Sequence, residues 1–213
     1  MRTTIFMKST VLTFITVLFF TTNQAQSLES KIDKILDNQF KSNETGVSAL
    51  VAKDGKVIYR KAFGKANLEL DVNMKPENVF QVGSITKQFT AVSILMLLEE
   101  GKLSLDDDIT KFIPDYPTKG KKITVHHLLT HTSGIKSYTS MQKFGEVMTM
   151  HKSPLKFIDF FKNEPMDFEP GEKYLYNNSG YFILGYIVEK VSGMSYPKFI
   201  KERIFDKIGM NNS

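Results

Sequence analysis

The sequence predicts an α+β fold, and three observations support that prediction. Two β-rich runs, 46–52 and 56–63, flank Lys53-Asp54-Gly55, and an Asp-Gly pair between such runs is typical of a β-hairpin. The run 89–98 is apolar on nearly every side of a helix and is followed by Gly101, which favours a buried helix that ends there. Most of the later chain shows helical periodicity interrupted by turns.

Further helices are predicted from apolar spacing and from capping residues. The run 30–40 places Ile32, Ile35, Leu36 and Phe40 on one face, with Ser27 or Ser30 as its cap. Further along, Thr124 caps a helix through Leu129, and Ser153-Pro154 begins another at 155–161. Two last helices are predicted at 181–191, which Ser192-Gly193 ends, and at 197–208.

The N-terminus has the features of a secretory signal peptide. Arg2 and Lys8 precede a ten-residue apolar run, 11–20, and Ala25 precedes a polar segment. A retained membrane anchor is the alternative, but a span needs about 20 apolar residues. The sequence therefore predicts that residues 1–25 are removed near Ala25 and that the mature protein is exported, periplasmic or secreted, with no stable membrane span.

Composition excludes several classes of function. The 213 residues suffice for one domain, predicted at 26–213. Removing residues 1–25 takes away two basic residues and no acidic one, so the formal net charge falls from +5 to +3, and the spread of lysines gives no basis for a nucleic-acid partner. There is no cysteine, so disulfides and thiolate metal sites are excluded. We expect no cofactor and no metal, because the histidines show no metal-binding spacing: His126, His127, His131 and His151.

Ser84 is the candidate nucleophile. A Ser-x-x-Lys pair puts a hydroxyl and an amine on one helix face, where a neutral, desolvated lysine can activate the serine for acyl transfer. Only Ser84 both follows a glycine and precedes a long apolar helix, although a plain N-cap serine remains the alternative. The spacing alone is weak evidence, because it occurs at Ser84–Lys87, Ser133–Lys136, Ser140–Lys143, Ser153–Lys156 and Ser195–Lys198.

Tyr176 supplies a second signal. It is the only tyrosine with an asparagine two residues later, in Tyr176-Asn177-Asn178. A phenol can relay a proton between nucleophile and leaving group, and the amide of Asn178 can orient a substrate carbonyl. A polar turn with a half-buried tyrosine is the alternative interpretation.

Ordered sequence blocks resemble a known family. From about Gly46 to the last residue, the chain is similar to class C β-lactamases, D-alanyl-D-alanine carboxypeptidases, penicillin-binding proteins and related esterases. The blocks that carry the resemblance are Gly83-Ser84-Ile-Thr-Lys87-Gln-Phe-Thr-Ala91, Leu128-Leu-Thr-His131-Thr-Ser-Gly134-Ile135, Glu169-Pro-Gly171 through Tyr176-Asn-Asn178-Ser-Gly-Tyr181, and Ile208-Gly-Met210.

The resemblance implies a fold and a set of roles. The fold would be β-lactamase/transpeptidase-like, with an α/β lobe beside an all-helical lobe and the site between them. Ser84 would be acylated, Lys87 would assist as the base, Tyr176 would shuttle the proton and Asn178 would help to hold the substrate. The block from His131 to Gly134 is interpreted as a structural turn, without a catalytic role for the histidine.

The family's third motif, Lys-Thr-Gly or His-x-Gly on a strand that lines the site, has no match in the sequence. We therefore expect the chain to be the N-terminal portion of a longer protein whose C-terminal sheet strands lie elsewhere. On that expectation the polypeptide alone hydrolyses substrates poorly or not at all. Turnover of nitrocefin or a p-nitrophenyl ester by residues 26–213, lost in Ser84→Ala, would contradict it.

Two functions of different class remain open. The first is hydrolysis through an acyl-serine, with peptidoglycan-type peptides, β-lactams or small esters as substrates. The second is a non-catalytic, penicillin-binding-like or interaction protein that retains the fold. A Ser-His-Asp hydrolase is disfavoured because no Gly-x-Ser-x-Gly segment occurs. The sequence decides neither the substrate nor the oligomeric state.

Overall fold

The computed structural model describes residues 27–147 and 153–213. The predicted signal peptide, 1–25, lies outside these residues. The chain divides into two compact units, one ending at Phe80 and the other comprising Gln81–Ser213. Among the described residues, no helix combines the length and the apolar character that crossing a membrane requires.

The first unit contains a helix and the predicted hairpin. Helix α1 (Leu28–Gln39) is capped by the Ser27 side chain, which accepts a bond from the amide of Ser30. Strands β1 (Val47–Lys53) and β2 (Lys56–Phe63) pair antiparallel. They turn through Asp54 and Gly55, whose φ angles of 51° and 72° suit a tight hairpin turn. The hairpin prediction is confirmed. Short strands β3 (Lys65–Asn67) and β4 (Val72–Asn73) form a second antiparallel pair.

The second unit is helical and packs around two long helices. Helix α2 (Thr86–Glu99) contacts α6 (Asn178–Ser192), which ends at Gly193 with φ 70°. The shorter helices are α3 (Val125–Leu129), α4 (Phe144–Val147), α5 (Pro154–Phe161), α7 (Tyr196–Ile200) and α8 (Asp206–Ile208). The apolar side chains of α2 and α6 that are 0% exposed are Ile94, Leu97, Ile183, Leu184, Ile187 and Val188.

Two helix predictions differ from the structure. Helix α2 was predicted to be buried on every side, but Val92 and Leu95 are each 44% exposed, because the core covers only the face that carries Thr90, Ser93, Ile94 and Leu97. The predicted helix 197–208 is a sequence of three elements, since a π-helical turn at Lys201–Phe205 separates α7 from α8. Gly209, with φ 74°, then ends it.

Candidate active site

Ser84 lies in a short 3-10 turn, Gly83–Ile85, immediately before α2 begins. Gly83 has φ 53°, a left-handed conformation that glycine adopts at no steric cost. Ser84 is exposed. Its Oγ receives bonds from two side chains, Lys87 at 3.2 Å and Tyr176 at 2.6 Å. The serine hydroxyl is therefore accessible to a ligand and in contact with two groups that can exchange protons.

Lys87 is held at the centre of the predicted residues. Its Nζ donates to Ser84 Oγ and, at 2.7 Å, to Asn178 Oδ1. The same atom is 4.8 Å from the ring centroid of Tyr176 and 5.6 Å from that of Tyr181, within the range of cation–π attraction. Lys87 is half-buried. One turn of α2 thus places the amine where the Ser-x-x-Lys spacing predicts it.

Tyr176 presents its phenol to Ser84 from the segment that precedes α6. Partial burial raises the pKa of this phenol, but hydrogen bonding with Lys87 and Ser84 and the charge of Lys87 outweigh burial, so the pKa of Tyr176 lies below its ordinary value. Stabilisation of the phenolate by a cation suits a group that accepts a proton. The side chain is 43% exposed.

Asn178 is the first residue of α6, and its side chain is engaged within the site. Its Oδ1 accepts from Lys87, its Nδ2 donates to Thr139 Oγ1 at 3.0 Å, and its backbone amide donates to Ser137 Oγ at 3.3 Å. The structure therefore brings together all four predicted residues, Ser84, Lys87, Tyr176 and Asn178. Asn178 also orients the lysine, an arrangement that the sequence did not predict.

Asn177 anchors the segment that carries Tyr176 and Asn178. It is the N-cap of α6, and its Oδ1 accepts from the amide of Gly180 at 2.8 Å. Its Nδ2 donates to the carbonyl of Ile135, and the side chain is only 3% exposed. A buried, fully bonded asparagine fixes the direction in which the neighbouring side chains leave the chain.

His131 contacts this segment and was missed as a site residue. It was predicted to belong to a structural turn, and the turn is present, with His131 at φ 59°. Its imidazole also accepts a hydrogen bond from the amide of Asn177 and stacks on Tyr176 and Tyr181. Chain separation hid this contact, because His131 and Asn177 are 46 positions apart in the sequence.

A cleft of about 440 Å³ opens beside Ser84 and Lys87. Residues of α2 and α6 line it, and so do Thr90 and Tyr196, whose hydroxyls bond to each other at 2.6 Å. Gly185 leaves space on the α6 wall. Five of the fourteen lining residues are aromatic: Tyr138, Tyr181, Phe182, Tyr186 and Tyr196. A concave cleft that combines apolar surface with a few polar groups is typical of a site for a small ligand.

The part of the chain that the structure describes holds no group of side chains that could bind a metal ion. Across 27–147 and 153–213, no three histidine, aspartate or glutamate side chains lie close enough together to hold a metal ion.

The chain matches a known protein family along most of its length. The model of the family described as Beta-lactamase matches residues 28–213. A penicillin-binding protein of Bacillus subtilis is 34% identical over 192 residues, which are 88% of this chain and 42% of that protein. The chain thus spans less than half the length of this curated relative.

Solved structures give the same relationship. The octameric penicillin-binding protein homologue from Pyrococcus abyssi is 40% identical, with a TM-score of 0.73 over 85% of this chain and 43% of that one. The D-amino acid amidase from Ochrobactrum anthropi SV3, complexed with L-phenylalanine, is 29% identical, with a TM-score of 0.74 over 84% of this chain and 49% of that one. These likenesses confirm the predicted β-lactamase/transpeptidase-like fold.

Proposed function

Because the chain belongs to the beta-lactamase family, whose solved relatives include an amidase, we propose that it is an acyl-serine hydrolase with Ser84 as the nucleophile. The observation that carries the proposal is the convergence of Lys87 Nζ and Tyr176 Oη on Ser84 Oγ, at 3.2 and 2.6 Å. A nucleophile within hydrogen-bond reach of a base, itself oriented by a third group, is the general arrangement for covalent catalysis. Asn178 is the orienting group.

The proposed acylation conserves protons within the site. Ser84 Oγ forms a bond to the carbonyl carbon of an ester or amide, and its proton passes to the Lys87–Tyr176 pair. The bond to the leaving alcohol or amine then breaks, and Tyr176 returns the proton to that group. In the second half, water gives one proton to the same pair and its oxygen bonds to the acyl carbon. The bond between that carbon and Ser84 Oγ then breaks, the pair returns the proton to Oγ, and a carboxylic acid leaves.

The cleft and the relatives support a proposal for the substrate class. Relatives are named for penicillin binding and for D-amino acid amides, and we propose peptidoglycan-type peptides, β-lactams or small esters for this chain. The aromatic cleft beside Ser84 favours substrates whose acyl part carries an apolar or aromatic group, because burying such a group contributes favourable transfer free energy.

A covalent probe tests the proposal without requiring turnover. We expect a fluorophosphonate to add to the chain once, with the adduct on the tryptic peptide that contains Ser84, and a fluorescent penicillin to compete with it. The measurement is mass spectrometry of the intact protein and its peptides. An intact, folded chain that acquires no adduct would contradict the proposal and support the non-catalytic alternative.

The pH dependence of labelling tests the role of Tyr176. Its pKa lies below the ordinary value, so the phenolate that accepts the Ser84 proton forms as pH rises through that lowered pKa. We expect the labelling rate to rise with pH and to level off below the ordinary tyrosine pKa. Tyr176→Phe should lower the labelling rate by roughly 100-fold and remove this rise of the rate with pH, the pH limb.

The matched control for Tyr176 is Tyr116→Phe, which removes a phenolic oxygen from a buried side chain elsewhere in the unit. It should label at the rate of the unsubstituted chain. A Tyr176→Phe protein that keeps both the rate and the pH limb would remove the phenol from the proposed mechanism.

The length of the alkyl chain of a fluorophosphonate probe tests whether the cleft binds the apolar part of a substrate. A Cβ at Gly185 would lie 3.6 Å from the Tyr196 ring, an ordinary contact, so Gly185→Ala is accommodated, whereas Gly185→Leu extends into the cleft. We expect long-chain alkyl fluorophosphonates to label faster than short ones. The ratio of the two rates should fall in the order Gly, Ala, Leu, and an unchanged ratio would place the alkyl group outside the cleft.

We also propose that the chain is exported. The proposal is based on the basic start of the sequence, the apolar run 11–20 and Ala25. Expression in a bacterium with a periplasm, followed by fractionation and N-terminal sequencing, tests this. We expect a mature N-terminus next to Ala25, and an uncleaved cytoplasmic product would contradict export.

A further inference from the structure

His131 accepts hydrogen bonds from the backbone amides on both sides of Tyr176. Its backbone carbonyl accepts from the amide of Leu175 at 3.0 Å, and its Nδ1 accepts from the amide of Asn177 at 3.1 Å. Leu175 and Asn177 are the two chain neighbours of Tyr176. One residue therefore fixes the backbone on both sides of the side chain that contacts Ser84.

The imidazole ring of His131 also contacts the phenol itself. Its centroid is 4.7 Å from that of Tyr176, at an interplanar angle of 37°, and 4.9 Å from that of Tyr181, at 32°. Lys87 Nζ approaches the same two phenol rings. The ring of Tyr176 thus has an imidazole and an ammonium group as neighbours, which limits the positions that it can adopt.

We propose that His131 is the positioning residue of Tyr176. The carbonyl, the Nδ1 atom and the ring of His131 together hold Tyr176 so that its phenolic oxygen lies at Ser84. The inference rests on the proposed function, since the phenol has to be placed for proton transfer. Misplacement of a catalytic group by about 1 Å can cost a hundredfold in rate. His131 itself contacts neither Ser84 nor the reacting atoms.

The interaction requires a neutral imidazole. Nδ1 can accept the Asn177 amide only when it carries no proton, so the neutral ring holds its proton on Nε2. Burial, and then the charge of Lys87, lower the pKa of His131 below its ordinary value despite the opposing effect of the Asn177 bond. The other titratable groups against the ring are the phenols of Tyr174, Tyr176 and Tyr181. The bond is therefore present at neutral pH and is lost as pH falls through the lowered pKa.

Two substitutions separate the functions of the side chain. His131→Asn retains an acceptor close to the position of Nδ1 and tolerates the positive φ, but it lacks the ring. His131→Phe retains a ring and lacks the acceptor. The matched control is His126→Asn, which makes the same change at an exposed histidine of the preceding helix.

The primary readouts are the rate of Ser84 labelling and the pKa of Tyr176, followed by NMR of ¹³Cζ-labelled tyrosine and assigned with Tyr176→Phe. We expect His131→Phe to label about tenfold more slowly and to raise the pKa of Tyr176, because the phenol leaves Lys87 and Ser84. His131→Asn should recover part of both effects, and His126→Asn should change neither. Folded His131 variants with unchanged labelling and an unchanged pKa of Tyr176 would overturn the proposal.

The unsubstituted chain provides a test that depends on neither variant folding nor on acylation. In ¹⁵N NMR between about pH 4 and pH 8, a range that brackets the ordinary histidine pKa, the Asn177 amide should shift with the same midpoint as the His131 ring nitrogens. The Tyr176 ring signals should follow. An Asn177 amide signal that does not change as His131 titrates would overturn the positioning role. A chain that shows this coupling but forms no Ser84 adduct would support the positioning role and contradict only the proposed function.

Discussion

Replacing Ser84 by alanine is expected to abolish covalent labelling, a decrease of at least about a thousandfold. Oγ is the atom that forms the covalent bond, and no neighbouring group in the site can replace it. The substitution should leave the thermal midpoint nearly unchanged, because Ser84 is exposed and its hydroxyl bonds, among the residues that the structure describes, to the Lys87 and Tyr176 side chains. Labelling and thermal unfolding of the same preparation measure the two effects separately.

Ser140→Ala is the matched control, because Ser140 and Lys143 share the Ser-x-x-Lys spacing. In the structure Ser140 Oγ donates to the carbonyl of Ser137, so no base activates it. We expect this variant to label like the unsubstituted chain. Label that persists in Ser84→Ala and disappears in Ser140→Ala would move the nucleophile to the other serine.

Replacing Gly134 by alanine is expected to destabilise the second unit by roughly 3 kcal/mol, from left-handed strain and overpacking together. Gly134 has φ 71°, and a Cβ there would lie 2.0 Å from the carbonyl oxygen of Phe168. The backbone of one segment would have to move. Since Gly134 lies between His131 and Ile135, labelling of Ser84 should also fall in the molecules that remain folded.

Gly120→Ala isolates the conformational part of that cost. Gly120 has a similar φ of 79°, but in the part of the chain that the structure describes no atom beyond its two chain neighbours lies within 4 Å of the position of its Cβ. We expect a loss of about 1 kcal/mol from the left-handed conformation alone. Urea unfolding of both variants gives the difference, and equal losses would show that the close approach to Phe168 has no energetic weight.

Local signals predicted the elements well. The Asp54-Gly55 turn, the Thr124 cap of α3 and the Pro154 start of α5 appear where the sequence places them, because each depends on residues adjacent in the chain. Helix α6 begins earlier than predicted, at Asn178 rather than Tyr181, since Asn177 provides the cap. The π-helical turn at Lys201–Phe205 has no such local signature and was missed.

The sequence predicted the four residues that the structure brings together, but only some of the contacts among them. The Ser84–Lys87 contact follows from helical spacing, and Tyr176 and Asn178 came from a motif. What the sequence did not reveal is which groups bond to which across the fold, above all the bond between Lys87 and Asn178 and the contact of His131 with the segment around Tyr176. These depend on the packing of α2 against α6 and on a turn with a positive φ, neither of which has a periodic pattern.

The hydrogen bond between Tyr176 and Ser84 joins residues 92 positions apart, and that between Lys87 and Asn178 joins residues 91 apart. Closing loops of such length is entropically unfavourable until the enclosed chain has found its packing. The proposed nucleophile therefore meets Lys87 and Tyr176 only when the helical unit is complete. During refolding, Ser84 should become reactive towards a serine-directed probe in the last cooperative step. The rate at which labelling appears therefore also reports the rate at which the native state forms.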